Sequence, residues 1–414
     1  CKVGEVVVSG GVRRSAMISL SNLSDGRMRH AKSGQWWETA PQMALSNNSV
    51  CYTDKPDGET FLREWTSLVE SKSGERGIFN RISAKEQAKK FGRRDADHEF
   101  GTNPCSEIIL RPYQFCNLTE VVIREKDKFD DLKRKVRLAT ILGTAQSTLT
   151  KFPYLRKIWQ RNTEEERLLG VSLTGIMDNE LTSGRKHGLD KTLEKLREIA
   201  VETNKEWSAI FGIPQSTAIT CVKPSGTVSQ LVDSSSGIHA RHSPYYVRTV
   251  RGDNKDPLTL FLKEQGVPSE ADVMKPDTQT VFSFPVKSPD NALTRHDMSA
   301  IHQLEIWLYY QRYWCEHKPS VTVTVRDEEW MEVGAFVFKH FDEMSGVSFL
   351  PHSEHTYQQA PYQDCTKDVY DKLSSEFGHI NWVKLRDYEK EDTTNSSQTF
   401  ACSGDSCEIV DIGG

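Results

Sequence analysis

The chain has 414 residues, 27% of them charged, and a formal net charge of -5. That length can bury a large core as one big α/β unit or as two to three ordinary domains. The balance gives no overall pull toward nucleic acid or an anionic membrane, and no apolar run is long enough to span a bilayer. The nine cysteines are an odd number scattered over a large chain, unlike the dense framework of a small secreted domain. A reducing cytoplasm is the expected compartment, with any disulfide chemistry transient and catalytic.

The chain opens at Cys1, without Met or a charged-then-apolar leader, directly inside a strand-like run. It is therefore expected to be the C-terminal part of something longer. Residues 3–8 (VGEVVV) read as a buried strand ending in the turn SGGVRRSA, Ser9–Ala16, and the β-rich MISLSN follows. Residues 36–90 look helical and polar, with a loop around Lys55–Gly58, which puts Cys51 in a polar helical region. The stretch from Cys105 to Ile123 reads as mostly extended, broken at Pro112. Phe129, Leu132, Val136 and Ala139 recur at helical spacing, as do Leu189, Leu193, Leu196, Ala200, Trp207 and Ile210. A strand-like AITCV (218–222) runs into KPSGTVSQLVDSSSG, and SVTVTV (320–325) and GVSFL (346–350) each adjoin a helical segment. Strands alternating with long helices indicate an α/β fold with helices outside a buried sheet or barrel. KEDTTNSSQT reads as a flexible linker that leaves FACSGDSCEIVDIGG as a mobile tail.

Asn103, Cys105 and Glu107 stand at period two, so in an extended segment an amide, a thiol and a carboxylate would share one face. Such a set can work on a polar substrate: the thiol on a C–H or carbonyl, the carboxylate as base on a hydroxyl, the amide as its anchor. A buried cysteine with Asn and Glu at a turn is equally compatible with these residues. Cys116 could lie across the same cavity and serve in redox. In the tail, Cys402 and Cys407 fit a dithiol that exchanges with an internal disulfide better than half of a zinc site, for which two further ligands are wanting. A ten-residue linker has an r.m.s. span of roughly 17 Å and a ceiling of about 33 Å, enough to visit a nearby cavity and swing out again. The hydroxyls of Pro224–Ser229 (PSGTVS), with Ser225, Gly226, Thr227, Val228 and Ser229, could form a phosphate cradle or a simple helix cap. Gly10, Gly11, Val12, Arg13 and Arg14 form a turn whose arginines could bind a nucleotide or be solvated.

Together, FGTNPCSEI and FCNLTEV, with VVSGGVRRSA before them and KPSGTVSQLVDSSSGIHARHSPYYVR after, resemble the large catalytic chain of a ribonucleotide reductase. The tail ACSGDSCEIVDI is similar to that of the adenosylcobalamin-dependent class II, of the ribonucleoside-triphosphate reductase type. The resemblance implies the C-terminal part of a ten-stranded α/β barrel over 1–390, its first strands upstream of Cys1, and a redox tail over 391–414. It implies a thiyl radical on Cys105, Glu107 as base, Asn103 as substrate anchor and Cys116 as one of two reducing thiols. It makes Cys402 and Cys407 the pair recharged by thioredoxin or a similar donor, Pro224–Ser229 the substrate phosphate loop, and Gly10–Arg14 the loop that relays effector identity. The implied cofactor is adenosylcobalamin, with no metal site on the protein; its contacts are not marked, and the family's cofactor regions would fall roughly within 255–325 and 350–390. The implied partners are a ribonucleoside triphosphate, dNTP or ATP effectors, the reductant and the upstream part of the same enzyme.

The family's partner for Cys116 lies upstream of this sequence, and Cys1 and Cys51 are poor substitutes. The iron-radical class I carries a tyrosine pair where this chain has Phe349, Leu350 and Pro351. Tyr309 and Tyr310 sit instead in a helical run and read as packing. DIGG does not resemble a glycyl-radical motif, and the D-x-H-x-x-G cobalamin motif fails because Ala96 stands where Asp belongs, ahead of His98 and Gly101. Alternatives are a class I large chain, a thiol–disulfide oxidoreductase, and a nucleotide-binding fragment without turnover.

Overall fold

The computed structural model describes residues 1, 3–4, 15–273, 275–352, 358–378 and 380–389. Gly10–Arg14, the linker and the Cys402–Cys407 tail lie outside the described residues. The strands are β1 (Met17–Ser21), β2 (Ser46–Tyr52), β3 (Gly77–Asn80), β4 (Gly101–Thr102), β5 (Ile109–Leu110), β6 (Asn117–Val122), β7 (Leu169–Thr174), β8 (Tyr245–Asp253), β9 (Ser269–Ala271), β10 (Gln279–Lys287), β11 (Thr322–Val325), β12 (Gly346–Pro351) and β13 (Tyr362–Asp364).

One wall of strands frames the molecule. β1, β2 and β3 run parallel, β3 meets β12 antiparallel, and β12 pairs parallel with β11. Single parallel bridges, Val222 to Pro319 and Val171 to Thr220, carry the wall through segment 218–222 to β7, which pairs parallel with β6. Two parallel runs thus meet head to tail at the β3–β12 seam. Central strands buried on both faces should read as near-continuous apolar runs. β7 does, with Leu169, Val171 and Leu173 all fully buried beside Val222, Val323, Val325 and Phe349.

Helices Gly58–Ser71, Phe129–Gln146, Leu189–Phe211, Ala300–Tyr309 and Trp330–Lys339 surround this wall. In the first of them Asp57 accepts the Thr60 N–H at 2.7 Å as N-cap, and Phe61, Trp65 and Leu68 fall on one face against the core. Trp65 stands edge-on to Phe349 of β12, 5.0 Å between centroids, which fastens the helix to the wall. A second, antiparallel sheet in the order β13-β8-β10-β9 buries its own cluster of Phe261, Leu262, Val267 and Phe282. Among the described residues no helix is long and apolar enough to cross a membrane.

Two sequence expectations need correction here. Val3 and Gly4 are helical, not the start of a buried strand, and Val3 is 81% exposed. The polar stretch 36–90 holds β2 and β3 as well as helices, and Cys51 lies on β2, packed beside Phe79 and Phe100. β2 (SNNSVCY) is buried although it starts with polar residues, because side-chain bonds satisfy them: Asn48 donates to Glu75 Oε2 at 2.8 Å and Ser46 Oγ to Asn48 Oδ1 at 3.2 Å.

Candidate active site

β4 and β5 form a narrow hairpin whose tip is Asn103–Ile108. The tip is a turn, not an extended strand: the Ser106 N–H donates to Asn103 O at 2.9 Å and Ser106 has φ of 65°. Strand alternation therefore does not bring Asn103, Cys105 and Glu107 together. The folded-back loop does. Asn103 Oδ1 accepts the Ile108 N–H at 2.9 Å, and its side chain also hydrogen-bonds the Glu107 carboxylate. Thr102 Oγ1 closes the neck onto Ile108 O at 2.9 Å.

Three bonds from two parts of the wall, β2 and the segment leading into β11, pin this tip. Asn47 Nδ2 of β2 donates to Pro104 O at 2.8 Å, Ser320 Oγ donates to Cys105 O at 2.6 Å, and the Lys318 N–H donates to Glu107 O at 3.2 Å. His317 adds a fourth link, accepting the Ile109 N–H on Nδ1 at 3.2 Å while Nε2 reaches Leu169 O at 2.9 Å. Burial drives its imidazole down to about 3, so it is neutral with the proton on Nε2.

Glu107 is 1% exposed and its Oε2 has no hydrogen-bond partner. Burial pushes its carboxyl up, while Asn103, Lys223 and Lys318 oppose that rise. Cys105 is half-buried at the tip. Cys116 precedes β6 and keeps some solvent contact, yet its dense surroundings and the nearby Glu107 charge push its thiol well above the usual range. All seven cysteines among the described residues are free thiols.

PSGTVS leads from the wall into the short helix Gly226–Leu231. Ser225 sits at its start with φ of 52°, and its hydroxyl caps nothing; it donates to the Glu120 carboxylate of β6. Ser229 Oγ bonds Gly226 O at 2.9 Å, and Thr227 is exposed. Gly237 (φ 54°) closes the loop from behind, where a Cβ would lie 2.3 Å from Lys223 O. Lys223 joins this loop to the hairpin tip: burial works against its charge, but Glu107, Glu120 and, more weakly, Cys221 and Cys105 raise it. Lys223, which directly precedes PSGTVS, is thus within electrostatic reach of Glu107, Glu120 and Cys105.

Sequence reading missed Glu120, Lys223, Lys318, Asn47 and Ser320, which pin the tip or act on its charges. Only two of them carried a signal, adjacency to a motif: Glu120 follows FCNLT and Lys223 precedes PSGTVS. Among the described residues no group of three or more His, Cys, Asp or Glu side chains is arranged to hold a metal ion. His98 lies beside Asp95 at 3.6 Å and Arg111 at 3.4 Å. Tyr310 is buried with its hydroxyl on Thr182 O at 2.8 Å, as packing requires.

No family model matches the chain. It is 30% identical, over 98% of its length, to the adenosylcobalamin-dependent ribonucleoside-triphosphate reductase of Lactobacillus delbrueckii subsp. bulgaricus, and 27% identical to that of Euglena gracilis. It spans 58% and 55% of these two relatives, a little over half of each. A crystal structure of a B-12 dependent (class II) ribonucleotide reductase superimposes with a TM-score of 0.77 at 27% identity, over 95% of this chain and 57% of the other. The class Id ribonucleotide reductase alpha subunit of Actinobacillus ureae matches less well, with a TM-score of 0.53 at 13% identity over 81% of this chain and 70% of that one, and shares the fold alone. The chain is a homologue of the adenosylcobalamin-dependent ribonucleoside-triphosphate reductases and has the fold of the class II ribonucleotide reductases.

Proposed function

We propose that this chain carries the catalytic centre of a class II ribonucleotide reductase, reducing ribonucleoside triphosphates to 2′-deoxyribonucleotides in the cytoplasm. The observation that supports it most is the buried Glu107, with one unpartnered carboxylate oxygen, on the same hairpin tip as a half-buried Cys105. A buried acceptor without a donor is costly unless a ligand hydroxyl supplies one.

Adenosylcobalamin, when bound, supplies the one-electron chemistry that leaves a thiyl radical on Cys105. The half-buried thiol at the tip suits a radical generator that has to reach it from outside the chain. In the reaction Cys105 takes the 3′-hydrogen atom of the ribose. Glu107 accepts the proton of the 3′-hydroxyl, and Asn103, which already holds Glu107, hydrogen-bonds the substrate. The 2′-hydroxyl leaves as water with a proton from the dithiol that includes Cys116. Two electrons from that dithiol, oxidised to a disulfide, balance the reduction at C2′, and Cys105 returns the hydrogen to C3′. The second thiol is supplied by sequence upstream of Cys1. Pro224–Ser229 take the triphosphate, aided by Lys223, whose charge offsets the two carboxylates beside it.

Gly10–Arg14 relay the identity of a bound dNTP or ATP effector to substrate choice. Cys402 and Cys407 re-reduce the internal disulfide and are recharged by thioredoxin or a similar donor. The test joins this chain to its upstream sequence and supplies adenosylcobalamin, a ribonucleoside triphosphate and a reductant. Cys105→Ala is expected to lose both 3′-hydrogen exchange and reduction; reduction surviving that change, or proceeding without adenosylcobalamin, overturns the proposal.

A further inference from the structure

Lys318 is a buried charge to which the reaction above gives no role. Its residue is 0% exposed, and its Nζ donates to Ser106 Oγ at 2.5 Å while lying 5.4 Å from the centre of the Phe79 ring. The side chain runs beneath the hairpin tip into a slot at the β3–β12 seam, where Phe79 pairs with Gly346. Glycine makes that slot: a Cβ at position 346 would lie 1.9 Å from Lys318 Nζ and 3.0 Å from Ser106 Oγ. An ammonium has three donors and is expensive to bury without acceptors and a counter-charge. Ser106 Oγ supplies an acceptor, and Glu107 is the carboxylate whose field reaches Lys318.

We infer that Lys318 is a positioning residue for the reaction: it holds Ser106 in the left-handed turn that joins Cys105 to Glu107, and its charge helps Glu107 ionise as a base. The inference rests on the roles proposed for Cys105 and Glu107. Burial sends the two groups toward each other: Lys318 goes down to about 7 even with Glu107 opposing the fall, and Glu107 goes upward. The groups facing Glu107 are Asn103 on its own loop, Lys223 ahead of PSGTVS, Lys318 ahead of β11, Cys116 before β6, Cys221 in segment 218–222 and Glu120 on β6. Lys223 is the other cation, and it acts on Glu107 at least as strongly as Lys318 does while also acting on Glu120. Removing Lys318 therefore leaves Glu107 with Lys223 alone as a counter-charge.

The first measurement needs no turnover. Infrared pH titration of the protonated-carboxyl stretch in this chain, with Glu107→Gln to identify the band, gives the Glu107 midpoint. Lys318→Met should raise that midpoint measurably, as loss of an opposite charge does. Gly346→Ala, which evicts the ammonium while retaining it in the chain, should raise it in the same direction and serves if Lys318→Met fails to fold. In the enzyme completed with its upstream sequence, Lys318→Met should lower kcat at neutral pH by about tenfold or more with KM for the nucleotide little changed. The acid limb of its pH–rate profile should move up with the infrared midpoint. A purely structural lysine would lower thermal stability and leave both midpoint and acid limb in place, and that result overturns the inference. Reduction that survives Cys105→Ala would instead overturn the parent reading, and the infrared titration would still judge Lys318.

Discussion

Two of the places where the molecule buries charge are built differently. Arg241 is 4% exposed, yet its guanidinium is saturated: Nε and one terminal nitrogen clamp Asp178 at 2.9 Å each, and the other terminal nitrogen meets Asp233 at 2.9 Å. Asp178 in turn accepts the Ser235 N–H at 2.9 Å, so the pair ties the chain returning from PSGTVS to the end of β7. At the hairpin tip Glu107 and, beneath it, Lys318 are as deeply buried but underpartnered. Glu107 Oε2 accepts nothing, and Lys318 Nζ donates to one hydroxyl. A planar fork matched to a carboxylate is how a fold neutralises a buried charge for good. Unmatched buried charge is tolerated where a ligand completes it, so the contrast separates scaffold from site.

The largest expected effect is on the scaffold side. Arg241→Met strands Asp178, which is 2% exposed, and should cost about 3–5 kcal/mol in denaturant-induced unfolding. A loss under about 1 kcal/mol would mean that the Asp178 clamp is no more structural than the tip.

Glu107→Gln should behave in the opposite sense. Because burial raises the folded carboxyl above its unfolded value near about 4.3, the native chain holds more protons than the unfolded chain in the window above that pH. Stability contributed by this group is therefore present at low pH and lost as pH rises through the folded value. Glu107→Gln removes that loss, so the variant should gain on the parent chain between pH 4 and pH 8 in thermal melts while losing reduction. A variant that loses stability as pH rises, relative to the parent, would place Glu107 with the scaffold charges.

This contrast also explains what could be read from the sequence. The helices Phe129–Gln146 and Leu189–Phe211 were legible because Leu132, Val136, Leu193 and Leu196 repeat at helical spacing and are all buried. β2 was not, since Ser46, Asn47 and Asn48 carry no strand signature and are held by side-chain bonds from distant residues. Asn103, Cys105 and Glu107 were identified together, but through a strand geometry that the Ser106 turn replaces. Lys318 could not be found at all: a lysine between His317 and Pro319 reads as solvated, and its burial depends on a glycine 28 positions later (318 to 346). Such residues become visible only when the wall brings β3, β11 and β12 under one loop.

The smallest effect tests whether the tip is held rigidly or merely resting on the wall. Asn47 is its tie to β2, through the 2.8 Å bond to Pro104 O, and the bond is only partly buried. Asn47→Ala should cost about 1 kcal/mol of stability, the ordinary worth of such a bond. Since the wall and core do not depend on that amide, the loss should concentrate locally: faster hydrogen exchange at Ser106 N–H and Ile108 N–H, whose acceptors both lie on Asn103, with exchange in β7 unchanged. Uniform acceleration across β7 as well would show that tip and wall open as one unit, and the division between scaffold and site would then be electrostatic only, not mechanical.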